Sequence, residues 1–162
     1  MIKILAVAAL MLAGTAGVEA QEPPREHAVD VSKPSFINIM LRRPQIFDEL
    51  PKDQNYTIFA PTEEAFSQLN PEIRDKIFEP EFAGQLEKLM HYHIIVGEHY
   101  VKDLTSGMVL KSVEGKDLVI TEKDGQIMIN EASIVDPDGI SGKGVVHQID
   151  RVLVPDDLNF ED

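Results

Sequence analysis

The chain contains no cysteine among its 162 residues. This absence excludes thiol catalysis, thiolate metal sites, thiol redox chemistry and attachment of a lipid to a cysteine. An exported domain depends on disulfides mainly when it is too small to bury a core, and a chain of this length can bury one without them. We therefore predict a single domain that needs no covalent cross-link.

Long hydrophobic runs are also missing after the first twenty residues. Residues 1–20 open with a short basic start at Lys3, continue through an apolar stretch from Leu5 to Leu12, and end in small residues. This pattern is typical of a secretory signal peptide cut before Gln21, and it is too short to span a membrane. We expect an exported protein, extracellular or periplasmic, without membrane insertion.

Positive charge is scarce in this sequence. Lysine and arginine number 15 against 28 aspartate and glutamate residues, which gives a formal net charge of −13. Such a surface repels nucleic acid and anionic lipid, and it favours solubility, basic partners or divalent cations. We therefore predict no nucleic-acid partner.

Helical patterns occupy the first half of the chain. Residues 21–30 form a polar, flexible lead-in, residues 31–157 one domain, and residues 158–162 an acidic tail. A helix broken at Pro44 is predicted over residues 32–50 because proline disrupts a helix interior. Further helices are predicted to start at the capping residues Thr62 and Asn70, and another follows Pro80.

Strand patterns occupy the second half, so helices come first and strands after, which indicates an α+β fold. Turn signals at Gly115-Lys116, Asp124-Gly125 and Asp138-Gly139 separate the strands. The predicted strands are Tyr56 to Ala60, His91 to Val96, Met108 to Ser112, Leu118 to Glu122, Gln126 to Asn130, Ala132 to Val135 and Gly144 to Val154.

Two motifs lie near the ends of the domain, with a Tyr-His pair between them. The first motif runs from Tyr56 to Phe66 and contains a Phe-Ala-Pro-Thr core followed by two glutamates. The second runs from Gly142 to Pro155 and contains a Gly-Val-Val-His stretch. Together with Tyr92-His93, this order of motifs resembles the fasciclin domain, and the resemblance covers nearly all of the chain after residue 30.

The resemblance implies a β-wedge of two small sheets packed against several helices. It also implies a secreted, non-enzymatic protein for adhesion or interaction, whose partner is a protein or glycan of a cell surface or matrix. We expect the protein to be a monomer. The family's Tyr-His motif, associated with integrin recognition in animal relatives, corresponds to Tyr92 and His93. Its Asp-Ile pair corresponds to Asp138 and Ile140, although Gly139 separates the two here and weakens the integrin inference. These four residues are the predicted binding residues, and no catalytic residue or cofactor is assigned.

Two other interpretations remain open. His91 and His93 lie two positions apart on a predicted strand, so they would project from one face, where Glu98 or His99 could complete a divalent-metal site. A set without a firm third ligand is a weak signal, and we assign no metal site from it. The second open interpretation concerns function: the protein could be a periplasmic or extracellular binder of a small hydrophobic ligand or of a divalent metal. His93 and His147 otherwise fit a role as hydrogen-bonded packing residues.

Overall fold

The structure is a computed structural model that describes residues 36–141 and 144–160. The expected signal peptide and lead-in lie outside the described residues, as do Gly142 and Lys143 of the second motif and the last two residues of the tail. Four α-helices are described, namely Phe36–Leu41 (α1), Glu63–Ser67 (α2), Pro71–Lys76 (α3) and Ala83–Tyr92 (α4). Short 3-10 helices cover Pro44–Phe47, Pro80–Phe82 and Val101–Asp103. The strands are Tyr56–Pro61 (β1), Ile94–Val96 (β2), Val109–Lys111 (β3), Asp117–Lys123 (β4), Gln126–Ile129 (β5), Ala132–Ser141 (β6) and Gly144–Ile149 (β7).

All seven strands belong to one mixed sheet, in the order β2-β1-β7-β6-β5-β4-β3. Only β1 and β7 run parallel, and the other neighbours are antiparallel. The two ends of the sheet approach each other, because Ile95 bridges Ser112 and the Val113 N–H donates to the Ile94 carbonyl at 2.8 Å. The sheet is therefore close to a barrel, and the α+β class is confirmed.

The expectation of two small sheets is not confirmed, and β6 is the reason. This strand is ten residues long, far more than predicted, so its start pairs with β5 and its remainder pairs with β7. Register shifts on either side of Asp136 bend the strand between its two partners. The Asp138-Gly139 pair, predicted to be a hairpin turn, lies inside this bulged strand. The Asp124-Gly125 turn is confirmed, with positive φ at both residues between β4 and β5.

Local signals determine where the helices begin. The Thr62 hydroxyl accepts a hydrogen bond from the Ala65 N–H at 3.2 Å and starts α2. The Asn70 side chain accepts from the Glu72 N–H at 2.9 Å, with Pro71 in the first turn of α3. The break at Pro44 is confirmed, because α1 ends at Leu41 and a 3-10 helix begins at Pro44.

The predicted strand from His91 to Val96 is wrong in its first half. Helix α4 continues through Tyr92, because Leu86, Leu89 and Met90 keep its apolar stripe buried in the core. His93 forms the helix C-cap, and β2 has only three residues. The Tyr-His pair therefore lies at the end of a helix, where the chain turns into the sheet.

The core has two parts, one on each side of the sheet. Helices α1 and α4 pack against β1 and the segment after β7. A second cluster, mainly of isoleucines and leucines together with Phe59, Tyr92 and Ala132, fills the sheet interior. Phe160, in the segment expected to be an acidic tail, is 8% exposed and packs edge-on against Phe82 with ring centroids 5.5 Å apart. Ordered packing thus continues beyond residue 157.

Candidate functional site

His93 lies in the core at the junction between α4 and the segment that follows β7. Its ring is fully buried, with Nδ1 2.7 Å from the Leu89 carbonyl and Nε2 2.9 Å from the Leu153 nitrogen. Because the Leu153 N–H must donate, Nε2 accepts, and the proton of the neutral ring is on Nδ1. Burial lowers the pKa of His93 from 6.5 to about 4, although the bond to Leu89 opposes the shift. His93 is therefore a neutral residue that joins two backbone segments.

His91 and His93 do not share a face, contrary to the interpretation as a metal pair on a strand. His91 lies in the last turn of α4, whereas His93 is the C-cap that follows the helix. The Nε2 of His91 donates to the Ile46 carbonyl at 3.0 Å. The acidic neighbours of His91 are also different from those expected. They are Glu49 and Glu87, whereas His99 lies beside His147.

His147 on β7 is the second core histidine that bonds through both ring nitrogens. Its Nδ1 accepts from the Asp138 N–H at 3.1 Å, and its Nε2 donates to the His99 carbonyl at 2.6 Å. The ring stacks on Phe59, with centroids 5.6 Å apart. Burial lowers the pKa of His147, while the His99 carbonyl and the Asp138 carboxylate oppose the shift. The prediction that His93 and His147 are hydrogen-bonded packing residues is confirmed.

Asp138 occupies a conformation that few residues adopt. Its φ is +61°, in the left-handed region that aspartate tolerates better than most side chains. Its carboxylate accepts from the Val101 N–H at 2.8 Å, so it ties the bulge of β6 to the 3-10 helix Val101–Asp103. Ile140, two residues later, pairs with Val145 and remains half-buried. Asp138 thus has a clear structural role, and Ile140 offers a partly exposed apolar side chain.

Tyr92 lies in a different part of the molecule from Asp138 and Ile140. It is 8% exposed, and its hydroxyl accepts from the Asn130 side chain at 3.1 Å. The Tyr92–Asn130 contact is at the turn between β5 and β6, whereas Asp138 contacts the 3-10 helix Val101–Asp103. The structure therefore does not join the four predicted binding residues into one compact site.

Two open clefts flank the segment Arg151–Val154, and each has an accessible volume of about 300 Å³. Tyr92 and Asn130 line the first cleft, and Ala65 and Ile73 are among the residues that line the second. No sequence pattern indicated that residues 151–154 would line two surface clefts. The strand predicted from Gly144 to Val154 is too long, because β7 ends at Ile149 and the chain then leaves the sheet.

Across residues 36–141 and 144–160, no helix has both the length and the apolar character needed to cross a membrane.

The sequence profile of the fasciclin domain matches residues 34–155, and the chain belongs to that family. Protein sll1483 of Synechocystis sp. is 32% identical over 110 residues, which cover 68% of this chain and 61% of that protein. Transforming growth factor-beta-induced protein ig-h3 of Sus scrofa is 30% identical over 139 residues, which cover 82% of this chain and 20% of that protein. This chain thus spans less than two thirds of either relative.

A solved pair of FAS1 domains from the insect cell adhesion molecule Fasciclin I has the same fold. The TM-score is 0.64 at 18% identity, with 80% of this chain and 51% of that chain covered. Family and fold therefore agree with the resemblance carried by the two motifs and the Tyr-His pair.

Proposed function

We propose that this protein is a non-enzymatic fasciclin-domain module that acts outside the cytoplasm and mediates adhesion or interaction. Its partner is a protein or glycan of a cell surface or matrix, and the module itself is a monomer. The observation that carries the proposal is the state of His93 and His147. Both ring nitrogens of each are bonded to backbone groups, so neither ring can take a proton from a substrate.

The relatives support an interaction role rather than a particular partner. Export rests on the leader pattern in residues 1–20 together with family membership. The net charge of −13 favours a partner with basic groups, and association should then slow as salt screens the long-range attraction.

We propose two separate contact patches, one at Tyr92, with the buried His93 ring beneath it, and one at Asp138 and Ile140. Ile140 is half-buried, so it can contribute apolar area at a contact. Tyr92 forms one wall of a cleft, and the buried His93 ring packs edge-on against it with centroids 6.4 Å apart. His93 would therefore position Tyr92 rather than contact the partner.

A photo-crosslinking pull-down from envelope and matrix fractions tests the proposal. The photoreactive residue replaces Ile140 in one variant and Glu131, at the rim of the Tyr92 cleft, in a second. Glu122, an exposed residue on β4, carries it in the control variant. We expect a discrete crosslinked partner from the first two variants and none from the control. Equal labelling at all three positions, or normal surface attachment of a gene-deletion strain with no crosslinked partner, would contradict the proposal.

A second candidate function, binding of a small hydrophobic ligand, is favoured by the clefts beside Arg151–Val154. Their size is at the lower end of ligand pockets, and valine and leucine side chains contribute to their walls. Native mass spectrometry of the purified protein distinguishes the two functions. A co-purified small molecule that is lost in a Gln68→Trp variant, which enlarges an exposed residue lining the second cleft, would support this candidate, and a wild-type protein that carries no small molecule would contradict it.

A further inference from the structure

Three potential metal ligands come together where residues 44–49 lie beside α4. A carboxylate oxygen of Glu49, a carboxylate oxygen of Glu87 and a ring nitrogen of His91 all lie within 4.8 Å of one another. Glu87 and His91 are four residues apart on α4, so the helix places both on one face. Glu49 comes from the turn that follows the 3-10 helix Pro44–Phe47. Two elements distant in sequence therefore converge on one point.

The bonding of His91 leaves one nitrogen available to a ligand. The residue is 6% exposed, and its Nε2 donates to the Ile46 carbonyl at 3.0 Å. In the neutral ring the lone pair is then on Nδ1. Metal-binding histidines are usually oriented in this way, with one nitrogen donating to a carbonyl and the other free to coordinate. Because Ile46 and Glu49 belong to the same short segment, that segment both orients the histidine and supplies a carboxylate.

Among residues 36–141 and 144–160, no lysine or arginine is paired with the carboxylate of Glu49 or Glu87, although other acidic residues form ion pairs. Asp157, for example, pairs with Lys88 and with Lys116. Two negative charges this close repel each other, and a bound cation would offset that repulsion. The ring nitrogen of His91 adds a third donor to the cluster.

We propose that Glu49, Glu87 and His91 form a binding site for a first-row divalent transition metal ion, with Zn²⁺ the preferred class. An imidazole nitrogen with two carboxylate oxygens is a ligand set that suits zinc, whereas Mg²⁺ and Ca²⁺ favour sites built from oxygen alone. Water completes the coordination. The bound ion links the Pro44–Phe47 segment to α4. This inference is independent of the adhesive role, because it assigns a ligand to a different part of the molecule.

The test uses chelator-treated protein titrated with ZnCl₂ in an isothermal calorimeter. The variants are Glu49→Gln and Glu87→Gln, which remove a charge without changing shape, and Glu122→Gln on β4 is the matched control. We expect one zinc per chain in the wild type and the control, and a loss of affinity of about tenfold or more in each of the two site variants. Zinc should also raise the melting temperature of the wild type by about 5 °C or more at saturating concentration.

Nuclear magnetic resonance of the histidine rings identifies the ligand directly. Zinc should shift the Nδ1 resonance of His91 and leave the His147 ring unchanged. Because Glu49 is exposed and Glu87 half-exposed, both variants should keep the wild-type fold, which circular dichroism checks. No binding of zinc, equal affinity in all four proteins, tighter binding of Ca²⁺ than of Zn²⁺, or an unshifted His91 ring would each overturn the proposal.

Discussion

The backbone N–H of Leu153 donates a hydrogen bond to Nε2 of His93, with the two nitrogens 2.9 Å apart. The other ring nitrogen bonds the Leu89 carbonyl within α4. One buried side chain therefore holds the segment after β7 against the end of a helix sixty residues earlier in the chain. The second motif and the Tyr-His pair, far apart in sequence, meet at this contact.

Replacement of His93 by leucine should destabilise the protein more than its change in volume implies. The Leu153 N–H and the Leu89 carbonyl would lose their partners inside the core, at a cost of about 2–4 kcal/mol in the free energy of unfolding. Urea unfolding followed by circular dichroism measures the loss. The matched control is His99→Leu, at a half-exposed side chain, which should cost less than about 1 kcal/mol. Equal losses in the two variants would contradict the structural role of His93.

Stability should fall as the pH decreases from 6.5 towards 4. The pKa of His93 is about 4 in the folded protein and 6.5 for an exposed ring. Between these two pH values the His93 ring is protonated in the unfolded chain but neutral in the native protein. Stability is therefore greatest above pH 6.5 and decreases through this window, by about 3 kcal/mol from His93 when the pH reaches 4. The lowered pKa of His147 contributes in the same direction.

Urea unfolding at several pH values between 7.5 and 4 measures this loss, and histidine ring resonances report the titration of each ring. The paired carboxylate of Asp157 cannot account for the effect. Hydrogen bonds from Lys116 and Lys88 lower the pKa of Asp157 to about 2, so its pairing is lost only as the pH falls towards that value. Stability that stays constant between pH 7 and 5 would show that neither core histidine is held neutral.

Substitutions at Asp138 should separate backbone geometry from hydrogen bonding. Asparagine tolerates positive φ and keeps an oxygen that can accept from the Val101 N–H, so Asp138→Asn should change stability by less than about 0.5 kcal/mol. Asp138→Ala loses the acceptor and strains the backbone, at a cost of about 1–3 kcal/mol. Both values come from urea unfolding.

The same pair of variants tests whether Asp138 contacts a partner. If its carboxylate takes part in recognition, Asp138→Asn should weaken partner capture while its stability stays unchanged. Partner capture that follows stability across both variants would instead assign Asp138 to the fold alone.

Features of the fold that depend only on residues adjacent in the sequence could be predicted. The caps at Thr62 and Asn70, the break at Pro44 and the Asp124-Gly125 turn all arise from local hydrogen bonding or backbone preference. The Asp138-Gly139 pair carries the same turn signal as Asp124-Gly125 but forms a bulge. Whether such a pair closes a hairpin or bends a strand depends on the partner strands, which a local pattern does not specify.

The candidate site was harder to predict because it depends on contacts between distant segments. An apolar run ending in Tyr92-His93 is compatible with either a strand or a helix end, and packing of α4 on the sheet decides between them. The neighbours of His91 come from residues 46–49, more than forty positions earlier, so no local spacing could identify Glu49 as one of them. The family resemblance named Tyr92 and Asp138 as binding residues, but it did not reveal that Tyr92 contacts Asn130 whereas Asp138 contacts Val101.

Phe160 should contribute to stability although it lies beyond the predicted end of the domain. Its ring is 8% exposed and packs against Phe82, and its carbonyl accepts from the Lys76 ammonium at 3.3 Å. Replacement by alanine should cost about 3 kcal/mol, because the buried apolar area of the ring and its contact with Phe82 are lost. Phe78, which is 41% exposed, offers a matched control, and Phe78→Ala should cost less than about 1 kcal/mol. Urea unfolding of both variants and of a chain ending at residue 157 measures the difference. If the shortened chain were as stable as the full one, the domain would end at residue 157 as predicted, and the packing of Phe160 would add nothing to the fold.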